Sequence, residues 1–128
     1  MQLRLVLTVD DFDGALAFYR DSLGLREQAA WQAESEDGRI AILDAGHATL
    51  ELVNEAQAAA IDRIEVGARV AGPVRVAFEV DDSEAVAARL VEAGGRQLAE
   101  PVTTPWQDRN VRVEAPEGMQ LTLFSPAG

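Results

Sequence analysis

The sequence repeats itself at an offset of 71 residues, and no other property constrains its fold as strongly. Leu5, Leu7, Val9, Asp10, Asp11 and Gly24 recur as Val76, Phe78, Val80, Asp81, Asp82 and Gly95. Further on, Ile40, Ile42, Leu50 and Leu52 recur as Val111, Val113, Leu121 and Leu123. Aligned without a gap, residues 1–57 form one module, 72–128 the second and 58–71 a linker, all within one domain spanning 1–128. Two copies are too few to stack as a solenoid. The expected object is a pseudo-two-fold pair with a shared core and a cleft lined by equivalent strands of both halves.

Each module reads as strand, helix, then three strands. Leu3, Leu5, Leu7 and Val9 alternate with Gln2, Arg4, Val6 and Thr8, the period of a strand. Asp10 or Asp11 then caps a helix carrying Ala15, Leu16, Phe18, Tyr19 and Leu23 at helical spacing, and Gly24 ends it. Strands are predicted near Arg26–Glu34, Arg39–Leu43 and Ala48–Val53, with turns at Asp37-Gly38 and Ala45-Gly46. The second module repeats the order. Its first strand carries Val74, Val76, Phe78 and Val80, and Asp81 with Glu84 marks the helix start. Strands follow near Arg96–Ala99, Asn110–Glu114 and Met119–Phe124. The alanine-rich stretch Glu55–Ile64 predicts a short helix between the modules.

Composition excludes several functions. Cysteine is absent, which removes disulfides, thiolate metal sites and a cysteine nucleophile. The net charge of −11 repels phosphate backbones, so nucleic acid is not an expected partner. No basic-plus-apolar leader opens the sequence and no apolar run approaches about 18 residues, which predicts a cytoplasmic protein with no membrane partner.

Successive side chains of a strand go to opposite faces. Leu3, Leu5, Leu7 and Val9, their counterparts from Val74 to Val80, and Leu50, Leu52, Leu121 and Leu123 make an apolar face that the helices should cover. The opposite face carries Arg4, Val6 and Thr8; Thr49, Glu51 and Val53; Arg75, Ala77 and Glu79; and Gln120, Thr122 and Phe124. Polar residues recurring away from the helices mark this face as the candidate site. Under the repeat, Arg4 matches Arg75 and Glu51 matches Thr122.

The segments Val9-Asp10-Asp11-Phe12, Phe18-Tyr19-Arg20-Asp21-Ser22-Leu23-Gly24-Leu25, Leu50-Glu51-Leu52 and Glu117-Gly118-Met119-Gln120-Leu121 resemble the vicinal oxygen chelate superfamily. That group includes glyoxalase I, bleomycin resistance proteins, fosfomycin resistance enzymes and extradiol dioxygenases. The resemblance covers essentially the whole chain. It implies an α+β fold in which two tandem βαβββ modules form a curved mixed sheet around a cleft, and a homodimer. In metal-dependent members, the first and last strands of each module supply four ligands to a divalent metal. Carried over, those positions hold Arg4, Glu51, Arg75 and Thr122, of which only Glu51 suits a cation. A guanidinium has no lone pair to give, and a neutral hydroxyl is a poor ligand. The expectation is therefore no cofactor and no metal. The only histidine, His47, stands in a turn before the Glu51 strand and reads as surface.

Two functions follow. One is a metal-free small-molecule binding protein in which Arg4 and Arg75 hold an anionic or polar-oxygen group, Glu51 and Thr122 orient it, and Phe124, Trp31 and Trp106 line the cleft. The other is a lyase, isomerase or dioxygenase-like enzyme using Glu51 as catalytic base or metal ligand. Arg4, Glu51 and Arg75 could equally form a structural ion cluster, and a dimerisation module without ligand stays open. Asp108 and Arg109 are placed near the cleft mouth. The sequence leaves undecided whether the cleft lies within one chain or across two.

Overall fold

The computed structural model describes residues 1–28 and 31–127. Eight strands and three helices follow in chain order. β1 is Leu3–Thr8, α1 is Phe12–Leu16 continued by a π-helical turn over Ala17–Ser22, β2 is Ile40–Ala45, β3 is Ala48–Val53 and α2 is Glu55–Glu65. The second module has β4 at Val74–Glu79, α3 at Ser83–Glu92, β5 at Arg96–Gln97, β6 at Val102–Thr103, β7 at Asp108–Glu114 and β8 at Gln120–Pro126. The strands form one curved mixed sheet in the order β2-β3-β1-β4-β8-β7-β5, with β6 also on β7.

The repeat is visible in the pairing. β1 and β4 run antiparallel at the centre, and Leu5 pairs with its own equivalent, Val76. The pseudo-two-fold axis passes through that pair. On either side the parallel ladders match: Leu5 meets Leu50 in β1–β3, and Val76 meets Leu121 in β4–β8. The two halves join edge to edge within a single chain, so the cleft between them is built within one chain.

The ungapped repeat hides two one-residue slips that cancel. The first is in the opening helix. Asp11 and Asp82 cap α1 and α3 at equivalent places, each accepting from the amide three residues on. The cap is thus Asp82 rather than Asp81. The helices end at Gly24 (φ 91°) and Gly94 (φ 108°), 70 residues apart, so the counterpart of Gly24 is Gly94 and not Gly95. The π-helical turn, in which Leu23 N–H donates to Phe18 O at 2.9 Å, absorbs the extra residue. The second slip is in the last hairpin. Ala45 and Ala48 pair across the two-residue turn Gly46-His47, whereas Ala115 N–H donates to Met119 O across the three-residue turn Pro116-Glu117-Gly118 between β7 and β8. Between the slips the offset is 70. Ile40 and Ile42 therefore correspond to Asn110 and Arg112, not to Val111 and Val113.

A one-residue shift exchanges the faces of a strand. Val111 and Val113 consequently pack under α3 with Ala87, Leu123, Phe78 and Leu90. Phe12, Ala41, Leu43, Leu50 and Leu52 make the matching core under α1. Arg112 and Asn110 are turned to the other side of the sheet, with Glu51 and Thr122.

The predicted strand at Arg26–Glu34 is reduced to one bridge, Glu27 with Leu43; Ala29 and Ala30 within it lie outside the described residues. No β-branched residue occurs from Arg26 to Arg39, so little favours extended pairing there. α2 forms as expected, capped by Asn54, whose side chain accepts from Gln57 N–H at 2.9 Å. It starts inside the first module and crosses into the linker. Its placement was not anticipated: it packs on the face opposite α1 and α3, where Ala58 meets Val6 and Val53.

One buried cation holds it there. Arg112 is 1% exposed. Its guanidinium donates to Asp62 Oδ1 at 2.9 Å, to Glu65 Oε1 at 3.0 and 3.2 Å, and to Gln120 Oε1 at 2.9 Å. Asp62 also receives Val70 N–H and Ala71 N–H, both at 2.8 Å, which ties down the segment leaving the helix. Burial opposes the charged form of Asp62, yet these amides and Arg112 hold its carboxyl below the usual range. Asp62 Oδ2 is also paired with Arg69 at 3.0 Å, so replacing Arg112 with Met leaves Glu65 as the buried carboxylate without an ion pair. Urea unfolding of Arg112→Met is expected to show a loss of about 3–5 kcal/mol.

Candidate functional site

The face left over by α2 forms a cleft of about 670 Å³, counting the part open to solvent. Its floor comes from equivalent strands of both modules: Arg4 on β1, Glu51 on β3, Arg75 on β4, and Thr122 and Phe124 on β8. Trp31 and Trp106 stand in the loops before β2 and before β7 and line the same space. All seven residues singled out in the sequence thus share one cleft.

Their contacts differ from the expected clamp. Arg4 lies over the Phe124 ring, its guanidinium carbon 4.4 Å from the centroid, and donates to Gln2 Oε1 at 3.3 Å. Arg75 is only 9% exposed and donates from Nη1 to Thr122 Oγ1 at 2.8 Å. Among the described residues neither arginine forms an ion pair with Glu51, so these three do not make a closed cluster. Glu51 is also 9% exposed, with no hydrogen bond to another described side chain. Burial is the largest influence on its carboxyl and pushes the pKa up, against the pull of Arg75 and Arg4. Burial likewise lowers the pKa of Arg75.

Three further residues matter. Glu65, from α2, enters the cleft floor beside Thr122, and Asn110 from β7 donates to its Oε2 at 3.1 Å. The Asn110 Oδ1 atom is buried without a partner. Ile61, one turn before Glu65, adds apolar lining. A signal for Asp62 and Glu65 exists in the sequence: they share a helical face with Ala58 and Ile61, an odd place for two acids on a solvated helix. For Arg112 no signal exists under the ungapped repeat, which assigns it the wrong face.

Other expectations are corrected by strand alternation. Asp108 does line the cleft, and burial raises its pKa against the pull of Arg4. Arg109, one residue on, points the other way and pairs with Glu84 of α3 at 3.3 Å. His47 lies exposed in the β2–β3 turn and takes no part in the cleft.

The family positions for a divalent metal hold two guanidiniums, one carboxylate and one hydroxyl already engaged with Arg75. This donor set does not fit a cation: both arginines repel it and supply no lone pair. No three His, Asp or Glu side chains stand together suitably elsewhere among the described residues.

A family model for the Glyoxalase/Bleomycin resistance protein/Dioxygenase superfamily matches residues 2–123. The chain belongs to this superfamily. It is 31% identical over 128 residues to "Putative glyoxylase CFP32" of Mycobacterium bovis, a match covering 94% of this chain and 42% of that protein. The chain therefore spans about two fifths of its curated relatives. Among solved structures it resembles the hypothetical protein BH1468 from Bacillus halodurans, with TM-score 0.70, 20% identity, and 95% and 91% of the two chains covered. It also resembles methylmalonyl-CoA epimerase from Mycobacterium tuberculosis, with TM-score 0.63, 22% identity, and 99% and 87% covered. Identities at this level carry the fold. No helix among the described residues is long and apolar enough to cross a membrane.

Glu51 supplies a direct test of the site's electrostatics. A carboxyl whose pKa is raised by folding favours the native state while protonated, and that advantage is lost as pH rises through the folded value. Glu51→Gln removes the cost of burying the charge. Its melting temperature is expected above wild type at pH 8, with the gap closing toward pH 4.

Proposed function

We propose that this chain is a metal-independent small-molecule binding protein whose ligand combines an apolar or aromatic body with an anionic or polar-oxygen group. The observation carrying this reading is Arg75, a deeply buried guanidinium lining the cleft with a hydroxyl as its hydrogen-bond partner and no ion pair among the described residues. A buried charge needs compensation, and a ligand oxygen can provide it with charge-assisted hydrogen bonds.

The acidic residues around it do not cancel that attraction. Glu65 is committed to Arg112, and burial moves Glu51 and Asp108 toward their neutral forms. Arg4 adds a second positive charge on the same floor. Above it, Trp31, Trp106, Phe124, Ile40 and Ile42 offer aromatic and aliphatic walls, which suit a flat apolar body. The donor set described above supports binding without a divalent metal. A homodimer and a cytoplasmic setting belong to the same proposal, by analogy with the superfamily.

A second reading has its own observation. Glu51 is buried in the cleft with no hydrogen bond to another described side chain, and burial raises its proton affinity. That is the condition of a general base, with Arg75 or Arg4 placed to steady a developing enolate oxygen. In this reading the chain is a lyase or isomerase acting beside a carbonyl.

A thermal-shift screen of aromatic carboxylates against their amides tests the first reading, and turnover of any carboxylate that binds tests the second. An acid that binds wild type is expected to lose about 2–5 kcal/mol of affinity on Arg75→Gln, measured by calorimetry. Unchanged affinity rejects the anion-binding role. Purified protein carrying near-stoichiometric metal that Glu51→Ala removes rejects metal independence.

A further inference from the structure

The Thr122 hydroxyl has every hydrogen-bonding site in use. It accepts from Arg75 Nη1 at 2.8 Å and from Arg112 Nε at 3.2 Å, and donates to Glu65 Oε1 at 2.9 Å. A hydroxyl offers one proton and two lone pairs, so none remains. Glu65 is itself fixed by Arg112 and by Asn110 Nδ2. This chain of contacts runs from the inter-module helix to the floor of the cleft.

We propose that Glu65 and Thr122 are positioning residues for Arg75, so that α2 sets the cleft's preference for an anionic ligand group. The inference rests on the ligand-binding reading above for its consequence, but the positioning stands on contacts alone. Without Glu65, the hydroxyl proton is free to rotate toward the cleft and turn a lone pair away from Arg75. Without the hydroxyl, Arg75 keeps no described partner, and its guanidinium becomes free to swing toward Glu51, the carboxylate on the neighbouring half of the floor. A salt bridge there would withdraw the very group that reads the ligand. Arg112 acts one step further back, holding Glu65 while sharing the same hydroxyl. The arrangement gives α2 a purpose that packing alone does not, since its apolar contacts with Val6 and Val53 need neither acid.

The same contacts explain why a threonine stands where the repeat places the equivalent of Glu51. A carboxylate at position 122 would face Glu65 directly and pair with Arg75 outright, closing off the guanidinium. A hydroxyl orients the arginine without neutralising it.

The test compares Thr122→Val, Thr122→Ser and Glu65→Met with wild type. The first measurement needs no ligand: nitrogen-15 NMR of the arginine side chains, with hydrogen exchange of the Arg75 guanidinium protons. Thr122→Val is expected to speed that exchange, and Thr122→Ser to restore the wild-type rate. Glu65→Met, which keeps the side-chain length but cannot accept the hydroxyl proton, remains available if Thr122→Val does not fold, and is expected to speed exchange as well. An Arg75 signal unchanged in both Thr122→Val and Glu65→Met overturns the proposal, whatever binds. The second measurement titrates phenylacetate against phenylacetamide, using the emission of Trp31 and Trp106 and calorimetry. Loss of one charge-assisted hydrogen bond predicts about a tenfold or greater fall in acid-over-amide preference for Thr122→Val, with Thr122→Ser near wild type. If wild type binds no aromatic acid in the screen, the ligand-binding reading falls while the exchange measurement still decides the positioning.

Discussion

A guanidinium taken fully out of water has to be surrounded by charge and hydrogen bonds, and the interior of this protein is organised around that demand at Arg112. Each ion removed from solvent costs several kcal/mol, and the cost is recovered only when the partners are complete and well placed. Asp62 and Glu65 are three residues apart on α2, so they project from one side of the helix and reach the same guanidinium. Thr122 and Gln120 of β8 complete the set. The result fixes a helix that runs from the first module into the linker against strands of the second, and through Val70 and Ala71 it fixes the approach to β4. The shape of the cleft is a consequence. α2 fills one part of the sheet's open face, and what it does not cover is the space lined by Glu51, Arg75 and the aromatic residues.

Duplication supplied the frame, and small departures from it made the site. Two halves related by a pseudo-two-fold would place identical chemistry at Arg4 and Arg75, and at Glu51 and Thr122. The strands do occupy equivalent positions, yet Arg4 rests half-buried on the Phe124 ring while Arg75 is enclosed. The difference comes from α2, which reaches the second module's strands with its acids and meets the first module through neutral residues, Ala58 on Val6 and Val53 and Gln57 accepting from Glu34 N–H. One pseudo-symmetric pair of arginines thereby becomes a partly solvated cation and a buried one.

The open face was legible because alternation in β1, β3, β4 and β8 leaves little freedom: once the leucines and valines face the helices, Arg4, Glu51, Arg75 and Thr122 must face the other way. The apolar cores under α1 and α3 followed from the same rule. Trp31, in the strand expected around Arg26–Glu34, and Trp106, in the loop before β7, were recognisable only as large aromatic side chains outside the helix-covered strands, and the fold brought both to the cleft. Arg109 shows the cost of not knowing register, since strand parity sends it to Glu84 while Asp108 goes inward. The strand expected around Arg26–Glu34 shows the limit of analogy between modules, because the residues there lack the branched side chains that favour a ladder.

The sequence by itself determined the module, the duplication and the faces of the central strands, because a two-residue period and a pair of matching halves are local properties written in residue order. It also placed Arg4 and Arg75 on the face away from α1 and α3, where the cleft opens. Tertiary structure alone decided where α2 lies, which acids neutralise which arginines, and on which side β7 shows Arg112. Those outcomes hang on a π-helical turn and a three-residue hairpin whose slips cancel in the numbering. They hang equally on the need of one buried cation for partners that stand 47 and 50 residues away along the chain.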